Sequence, residues 1–309
     1  MRYLVTGGAG FIGSNVVREL LAQGHEVVVL DDFSTGRASN LAGLSGEVEV
    51  VRGSITDAGA VRAAIRGCAG AFHLAAVASV QRSIDEPGWC HEVNVTGALN
   101  VLQCAKEMGV SRVVLSSSAA TYGEADAFPL DEGVAGKPIS PYGMHKLFNE
   151  YYAWLYAHNG WVETVCLRYF NVYGPRQDPQ GEYAAVVPKF ITAVLGGIKP
   201  KVFGDGMQSR DFLYVGDVAR ANWAAMNAQG CSGQVFNVCA GLENSLLDLL
   251  TAIGRATGKP VEPHFMPARA GDIRRSVGNP AAAERVLGFK ARVSFEEGLA
   301  NTVEYFGAN

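Results

Sequence analysis

Three glycines spaced three apart, Gly7, Gly10 and Gly13, stand where a short apolar run ends and a helical pattern begins. Arg2 to Thr6 reads as a strand, and Phe11 to Gln23 carries the periodicity of a helix. Each glycine has a reason: Gly7 for the tight turn, Gly10 so that the backbone comes close to a pyrophosphate, and Gly13 so that helix and strand pack closely. The helix N-terminus then offers free N–H groups and a positive dipole end to an anion. A strand-to-helix turn that binds nothing can look the same, so the next strand decides. Glu26 to Leu30 ends in Asp31-Asp32, about eighteen residues beyond Gly13, where a carboxylate accepts hydrogen bonds from an adenosine ribose. Together the two parts predict a dinucleotide site. Asp31 would repel a 2′-phosphate, so NAD is favoured over NADP; Arg37 either tempers that preference or is a solvated loop arginine.

Further strands are expected at Val48 to Arg52, Gly70 to Leu74, Arg112 to Ser116 and Thr164 to Arg168, with helices at Ala58 to Ile65, Glu86 to Glu107 and Tyr142 to Asn159. This alternation predicts an α/β fold with a Rossmann-type doubly wound parallel sheet. After Tyr169 the pattern breaks into a Gly/Pro/Gln-rich stretch, Gly174 to Gly181, then a helix at Tyr183 to Leu195 and late strands at Asp211 to Val215 and Gln234 to Val238. At 309 residues the chain holds about two domain-sized units. They are expected to interleave: a dinucleotide-binding domain from 1–171 plus 211–239, and a second, smaller α/β substrate domain from 172–210 plus 240–309.

A net charge of −4 gives no footprint for nucleic acid or an anionic membrane, and no apolar run reaches the ~20 residues of a membrane span. Met1 to Val5 runs at once into the glycine turn and reads as a strand, not a signal peptide. The six cysteines show no pairing or metal spacing, and the six histidines are scattered. Reduced thiols, a cytoplasmic location and no metal are the expectation.

Tyr142 and Lys146 stand at i and i+4 on one predicted helix face, and Ser140-Pro141 marks where that helix begins. Alone, such a pair is most often decoration on a solvated face. Upstream, Ser116-Ser117-Ser118 ends a strand at the carboxyl edge of the sheet, the edge where ligands sit in doubly wound folds. A cation beside Tyr142 would stabilise its phenolate and lower its pKa, as a general base requires.

The Gly-x-x-Gly-x-x-Gly spacing, Ser118, Tyr142 and Lys146 together resemble the extended branch of the short-chain dehydrogenase/reductase superfamily. The resemblance implies NAD as cofactor, a Ser118-Tyr142-Lys146 catalytic set, and cofactor contacts from Phe11, Ile12, Asp32, Ser34, Thr35, Gly36, Ile55, Leu74, Ala75, Ala76, Asn94, Ser116 and Tyr169. Ser54 stands where the family usually carries Asp at the adenine edge.

The segments Arg168 to Pro179, Val187 to Phe190, Gly204 to Asp211 and Arg269 to Asp272 resemble the UDP-glucose and UDP-N-acetylglucosamine 4-epimerases. That resemblance implies a UDP-sugar ligand: Asn171, Arg210 and Arg269 on the diphosphate, Ala185, Val186, Lys189 and Phe190 around the uracil, with Ser79 and Asp272 also on the substrate. A homodimer formed by the helices around Trp89 to Ala105 and Lys146 to Tyr156 is implied as well. Ser276, small where a large residue would border the sugar C2 substituent, implies room for an N-acetyl group. Ala119-Ala120-Thr121 after Ser118 offers no carboxylate to expel water, unlike a 4,6-dehydratase. Asp178, if near the sugar, would disfavour a uronate. A nucleotide-sugar dehydratase, a decarboxylase and a UDP-glucuronate 4-epimerase are the competing readings.

Overall fold

Strands that are apolar on both faces need cover on both faces, and alternating helices supply it. A computed structural model describes residues 1–134, 136–180, 185–268 and 273–308 of the chain. It opens with β1 (Arg2–Thr6), α1 (Phe11–Ala22), β2 (Glu26–Asp31), β3 (Val48–Arg52), α2 (Ala58–Ile65) and β4 (Gly70–His73). Next come α3 (Val80–Asp85), α4 (Pro87–His91), α5 (Gly97–Glu107), β5 (Arg112–Ser118), α6 (Pro141–His158) and β6 (Glu163–Tyr169). Short β7 (Val172–Tyr173), α7 (Val186–Leu195), β8 (Lys201–Phe203), β9 (Ser209–Arg210), β10 (Leu213–Tyr214) and α8 (Val215–Asn227) lead to β11 (Gln234–Val238). The chain then runs through β12 (Asn244–Ser245), α9 (Leu246–Thr257), β13 (His264–Met266), β14 (Arg275–Ser276) and α10 (Phe295–Ala308).

The described residues form a seven-stranded sheet in the order β11-β6-β5-β4-β1-β2-β3, paired in parallel throughout. The order reverses between β1 and β4, and the crevice at that switch point is where such sheets take ligands. Side chains alternate across the sheet. Leu4, Val28 and Val113 pack with α2, α5 and α6 on one face; Val5, Val29 and Val114 pack with α1 and α8 on the other. A separate core joins α7, α9 and α10 through Ile191, Leu249, Ile253 and Leu299. Residues 283–289, expected in the substrate domain, instead supply Ala283, Leu287 and Phe289 to the core of the large sheet.

Helix starts follow local chemistry. Asp57 caps α2 by accepting from the N–H of Gly59 and Ala60, and Ser140 caps α6 by accepting from Gly143, with Pro141 preorganised in the first turn. Two expectations change. The single helix foreseen over Glu86 to Glu107 is broken by a π turn at Glu92–Thr96, where the wider backbone lets Asn94 turn inward. The strand foreseen over Asp211 to Val215 shrinks to Leu213–Tyr214, which pairs with β7 outside the large sheet. Its first residue, Asp211, is fully buried and accepts hydrogen bonds from the N–H groups of Ala240, Gly241 and Gly278. The helix foreseen from Tyr183 begins at Val186; Tyr183 itself lies outside the described residues. All six cysteines are free and buried. No described helix is long and apolar enough to cross a membrane.

Candidate active site

The cleft at the switch point is lined by Gly7, Gly10, Phe11, Ile12 and Gly13, by Asp31 to Gly36 apart from Phe33, by Ser54 and Ile55, and by Leu74, Ala75 and Ala76. The glycines are there because nothing larger fits. Gly7 has φ +67, and a Cβ on it would meet the backbone of Ala75 at 2.8 Å; a Cβ on Gly13 would stand 2.0 Å from the Gly7 carbonyl oxygen. Gly10, the N-cap of α1, has no side-chain capping bond. The first N–H groups of α1 thus line the cleft with no partner inside the helix, a ready cradle for a pyrophosphate.

Asp31 is buried, and its carboxylate accepts from the N–H of Ala9 at 2.9 Å and of Phe33 at 2.8 Å. Burial raises its pKa, and the two backbone bonds oppose that rise. Each carboxylate oxygen keeps capacity for a ribose hydroxyl. Arg37 does not line the cleft; it pairs with Asp178 at 2.7 Å. Asp178 lines neither recess. Asn94 is buried behind the cleft wall, where its amide both accepts from and donates to the backbone of Val77, at 2.7 and 3.0 Å. The residues present fit NAD: glycine cradle, open helix end and ribose carboxylate lie in one cleft.

Ser116, Tyr142, Lys146 and Tyr169 line the inner end of the same cleft. The Ser118 hydroxyl neighbours the Tyr142 phenol and favours its ionised form, and Lys146 Nζ donates to the Ser116 carbonyl at 2.9 Å and to Ser116 Oγ at 3.0 Å. Burial lowers the Lys146 pKa to about 8, opposed by the charge of Glu150 one helical turn on. The expectation that Lys146 depresses the Tyr142 pKa is not met in the ligand-free protein. Desolvation raises it, and only the neighbouring Ser118 hydroxyl pulls it down, since Lys146 is drawn toward Ser116. Below this set, Glu150 and Arg168 form a buried ion pair, with Ser117 Oγ donating to Glu150 at 2.5 Å. Burial and the Lys146 charge push the His73 pKa down to about 3, so the ring stays neutral beside Thr6 Oγ.

A second recess is lined by Val80, Gln81, Asn171, Ala185, Val186, Phe190, Lys201, Phe203, Gln208 and Arg210, among others. Five expected contacts are not brought into that lining, among them Tyr142, which lines the cofactor cleft instead. Lys189 is exposed on α7, Ser79 caps α3 by accepting from Arg82 at 3.1 Å, Ser118 lies below with Tyr142, and Ser276 sits on β14 opposite Arg210. Arg269 and Asp272 lie outside the described residues. Sequence reasoning missed Val77, Ala78, Trp89 and Val93 on the cofactor side and Val80, Gln81, Lys201, Phe203 and Gln208 on the other. None of these carries a spacing signal; Phe203 could have been found from its place just before Gly204-Asp205-Gly206. Among the described residues no group of three or more His, Cys, Asp or Glu could hold a metal ion.

A doubly wound sheet with an open glycine cradle, a ribose carboxylate and Ser118, Tyr142 and a buried Lys146 at its carboxyl edge defines a nucleotide-cofactor-dependent enzyme of the short-chain dehydrogenase/reductase type. The chain belongs to the NAD dependent epimerase/dehydratase family, whose model matches residues 3–239. It is 45% identical, over 99% of this chain and 98% of the relative, to a UDP-glucose 4-epimerase of Mycolicibacterium smegmatis. Two solved structures are similar over nearly the whole chain. A Thermus thermophilus UDP-glucose 4-epimerase in complex with NAD superposes with TM-score 0.90 at 39% identity, covering 99% of each chain. A Methanobrevibacter ruminantium UDP-N-acetylglucosamine 4-epimerase with bound UDP-N-acetylmuramic acid does so with TM-score 0.95 at 35% identity, covering 99% of this chain and 98% of that one. NAD is the cofactor of this chain.

Proposed function

We propose that the protein inverts the C4 hydroxyl of a UDP-hexose, with UDP-glucose and UDP-galactose as the primary pair. The observation that supports this reading is that Tyr142 and Lys146 line the cleft fitted to NAD, whose wall at Val77 and Ala78 continues as Val80 and Gln81 into a recess bearing Asn171 and Arg210. NAD, when bound, supplies the hydride acceptor and donor. Tyr142 takes the proton of the C4 hydroxyl and later returns it, and Ser118 shares that proton by hydrogen bonding. Lys146 contributes positive field beside the phenol, and on gaining ligand contacts it would shift from Ser116 toward them. Asn171 and Arg210 anchor the diphosphate, about which a transient 4-keto sugar turns to present its other face.

Inversion of this kind needs no further acid. Among the described residues the only carboxylates lining either recess are Asp31 and Asp32, at the ribose end. That supports epimerisation over dehydration. A second reading, a UDP-uronate as substrate, is favoured by one observation: Lys201 adds a cation to the sugar-side recess. Acceptance of N-acetylhexosamine is proposed on the family resemblance at Ser276, which pairs with Arg210 but does not line the recess. We also propose a homodimer through α6, which exposes Met144, Phe148, Tyr151 and Trp154 along one side, and a cytoplasmic location, where free thiols persist.

The deciding experiment incubates the protein as purified, with no added cofactor, with UDP-glucose, UDP-galactose, UDP-N-acetylglucosamine and UDP-glucuronate separately, and resolves the products. Interconversion of the first two is expected. A lasting 4-keto sugar, a shortened sugar or no reaction would overturn the reading, and inert UDP-N-acetylglucosamine would refute the role given to Ser276.

A further inference from the structure

Ser83 is fully buried on α3, and no step above uses it. Its Oγ accepts a hydrogen bond from the backbone N–H of Tyr142 at 3.0 Å and donates to the carbonyl of Val80 at 2.6 Å. Tyr142 stands in the first turn of α6, where backbone N–H groups have no partner inside the helix. Ser140, the N-cap of α6 itself, satisfies the next one, that of Gly143; Ser83 satisfies Tyr142's from a different helix. The residues leading to Ser83 touch both recesses. Val77 and Ala78 line the cofactor cleft, and Val80 and Gln81 line the sugar-side recess. One short segment therefore runs along both ligand sites and ends on the backbone of the tyrosine.

We infer that Ser83 is a positioning residue, whose hydroxyl ties the sugar-side wall of α3 to the backbone of Tyr142 and so holds the phenol against Ser118. The inference rests on Tyr142 being the proton-transfer group. Without Ser83 Oγ the N–H of Tyr142 loses its partner, while the Val80 carbonyl keeps its bond within α3, and the first turn of α6 is free to shift. A phenol drawn away from Ser118 loses the one contact that eases its ionisation, while burial continues to oppose it. The charged or titratable groups around Tyr142 are Lys146 on α6 and Tyr169 at the end of β6. Those on α3 are engaged elsewhere, Arg82 over the Trp89 ring and Asp85 by Gln81, and His91 of α4 lies against His145. Ser83→Ala removes none of these charges, so a change in ionisation reports position.

The test uses the full-length holoenzyme. The phenolate ultraviolet absorbance of wild type and Ser83→Ala is titrated with pH, each read as the difference from its own Tyr142→Phe counterpart. The Tyr142 midpoint is expected to rise by about one pH unit, which is tenfold less phenolate at a given pH. The kcat for UDP-glucose is expected to fall about tenfold, with KM within about twofold and bound NAD unchanged. A merely structural serine would lower thermal stability and leave the midpoint in place, and a midpoint within about 0.2 of wild type overturns the inference. A raised midpoint in a protein that turns over no UDP-sugar would sustain the inference and sink the proposed function. If Ser83→Ala does not fold, the same titration on Ser83→Cys, a weaker acceptor of similar size, decides by the same two outcomes.

Discussion

Lys146→Met isolates the stability cost of keeping a cation in the cofactor cleft. Lys146 is 3% exposed, and burial lowers its pKa from the ordinary 10.5 to about 8. Between those values the unfolded chain binds a proton that the native protein does not, so stability rises with pH through that window. Below pH 8 both states are protonated and the full cost of burying the charge is present. Above 10.5 it is gone. At ~1.36 kcal/mol for each tenfold change in proton affinity, the displacement is worth about 3 kcal/mol. Methionine, similar in length and uncharged, has no such term. The stability difference between wild type and Lys146→Met should therefore move by about 3 kcal/mol in favour of wild type from pH 7 to pH 11. For a chain of this length that corresponds to roughly 5 °C in relative Tm. The assay is thermal unfolding of the two cofactor-free proteins across that range, in which titrations common to both cancel. A difference that stays flat to within about 1 kcal/mol would refute the reasoning, because it would mean that Lys146 carries no desolvation cost.

Three further outcomes are expected. Tyr142→Phe should lose at least about a thousandfold in turnover while retaining bound NAD, measured by cofactor released on denaturation; substantial residual activity would remove Tyr142 from the chemistry. Glu150→Gln leaves Arg168 buried without its counter-charge and should cost about 3–5 kcal/mol, most of it recovered in Glu150→Leu/Arg168→Met, as read in a double-mutant cycle of denaturant midpoints. Gly13→Ala forces a methyl to within 2.0 Å of the Gly7 carbonyl and should yield protein purified without NAD, which a cofactor assay reads directly.

The parts of the site that were legible in the sequence are those in which the chemistry is local. Gly7, Gly10 and Gly13 span two turns of chain, Asp31 ends the neighbouring strand, and Tyr142 and Lys146 are one helical turn apart, so spacing alone places them. The same locality explains why β1 to β6 could be anticipated to within two residues at most of their ends. Where a long-range contact overrides local pattern, the reading slipped. The helix foreseen through Glu86 to Glu107 is interrupted because Asn94 must reach the backbone of Val77, and Asp211 leaves its strand to join Ala240, Gly241 and Gly278.

By itself, then, the sequence determined the doubly wound sheet, the dinucleotide cradle and the Ser118, Tyr142 and Lys146 set, because each is written in contiguous residues and short-range periodicity. Only the tertiary structure decided that Arg37 is spent on Asp178, that Lys201 and Phe203 face the same recess as Asn171 and Arg210, and that Ser83 reaches Tyr142 from another helix. It also shifted the proton affinities of Tyr142 and Lys146. Desolvation depends on what packs around a side chain, and for Lys146 and Tyr142 that packing comes from segments far apart along the chain.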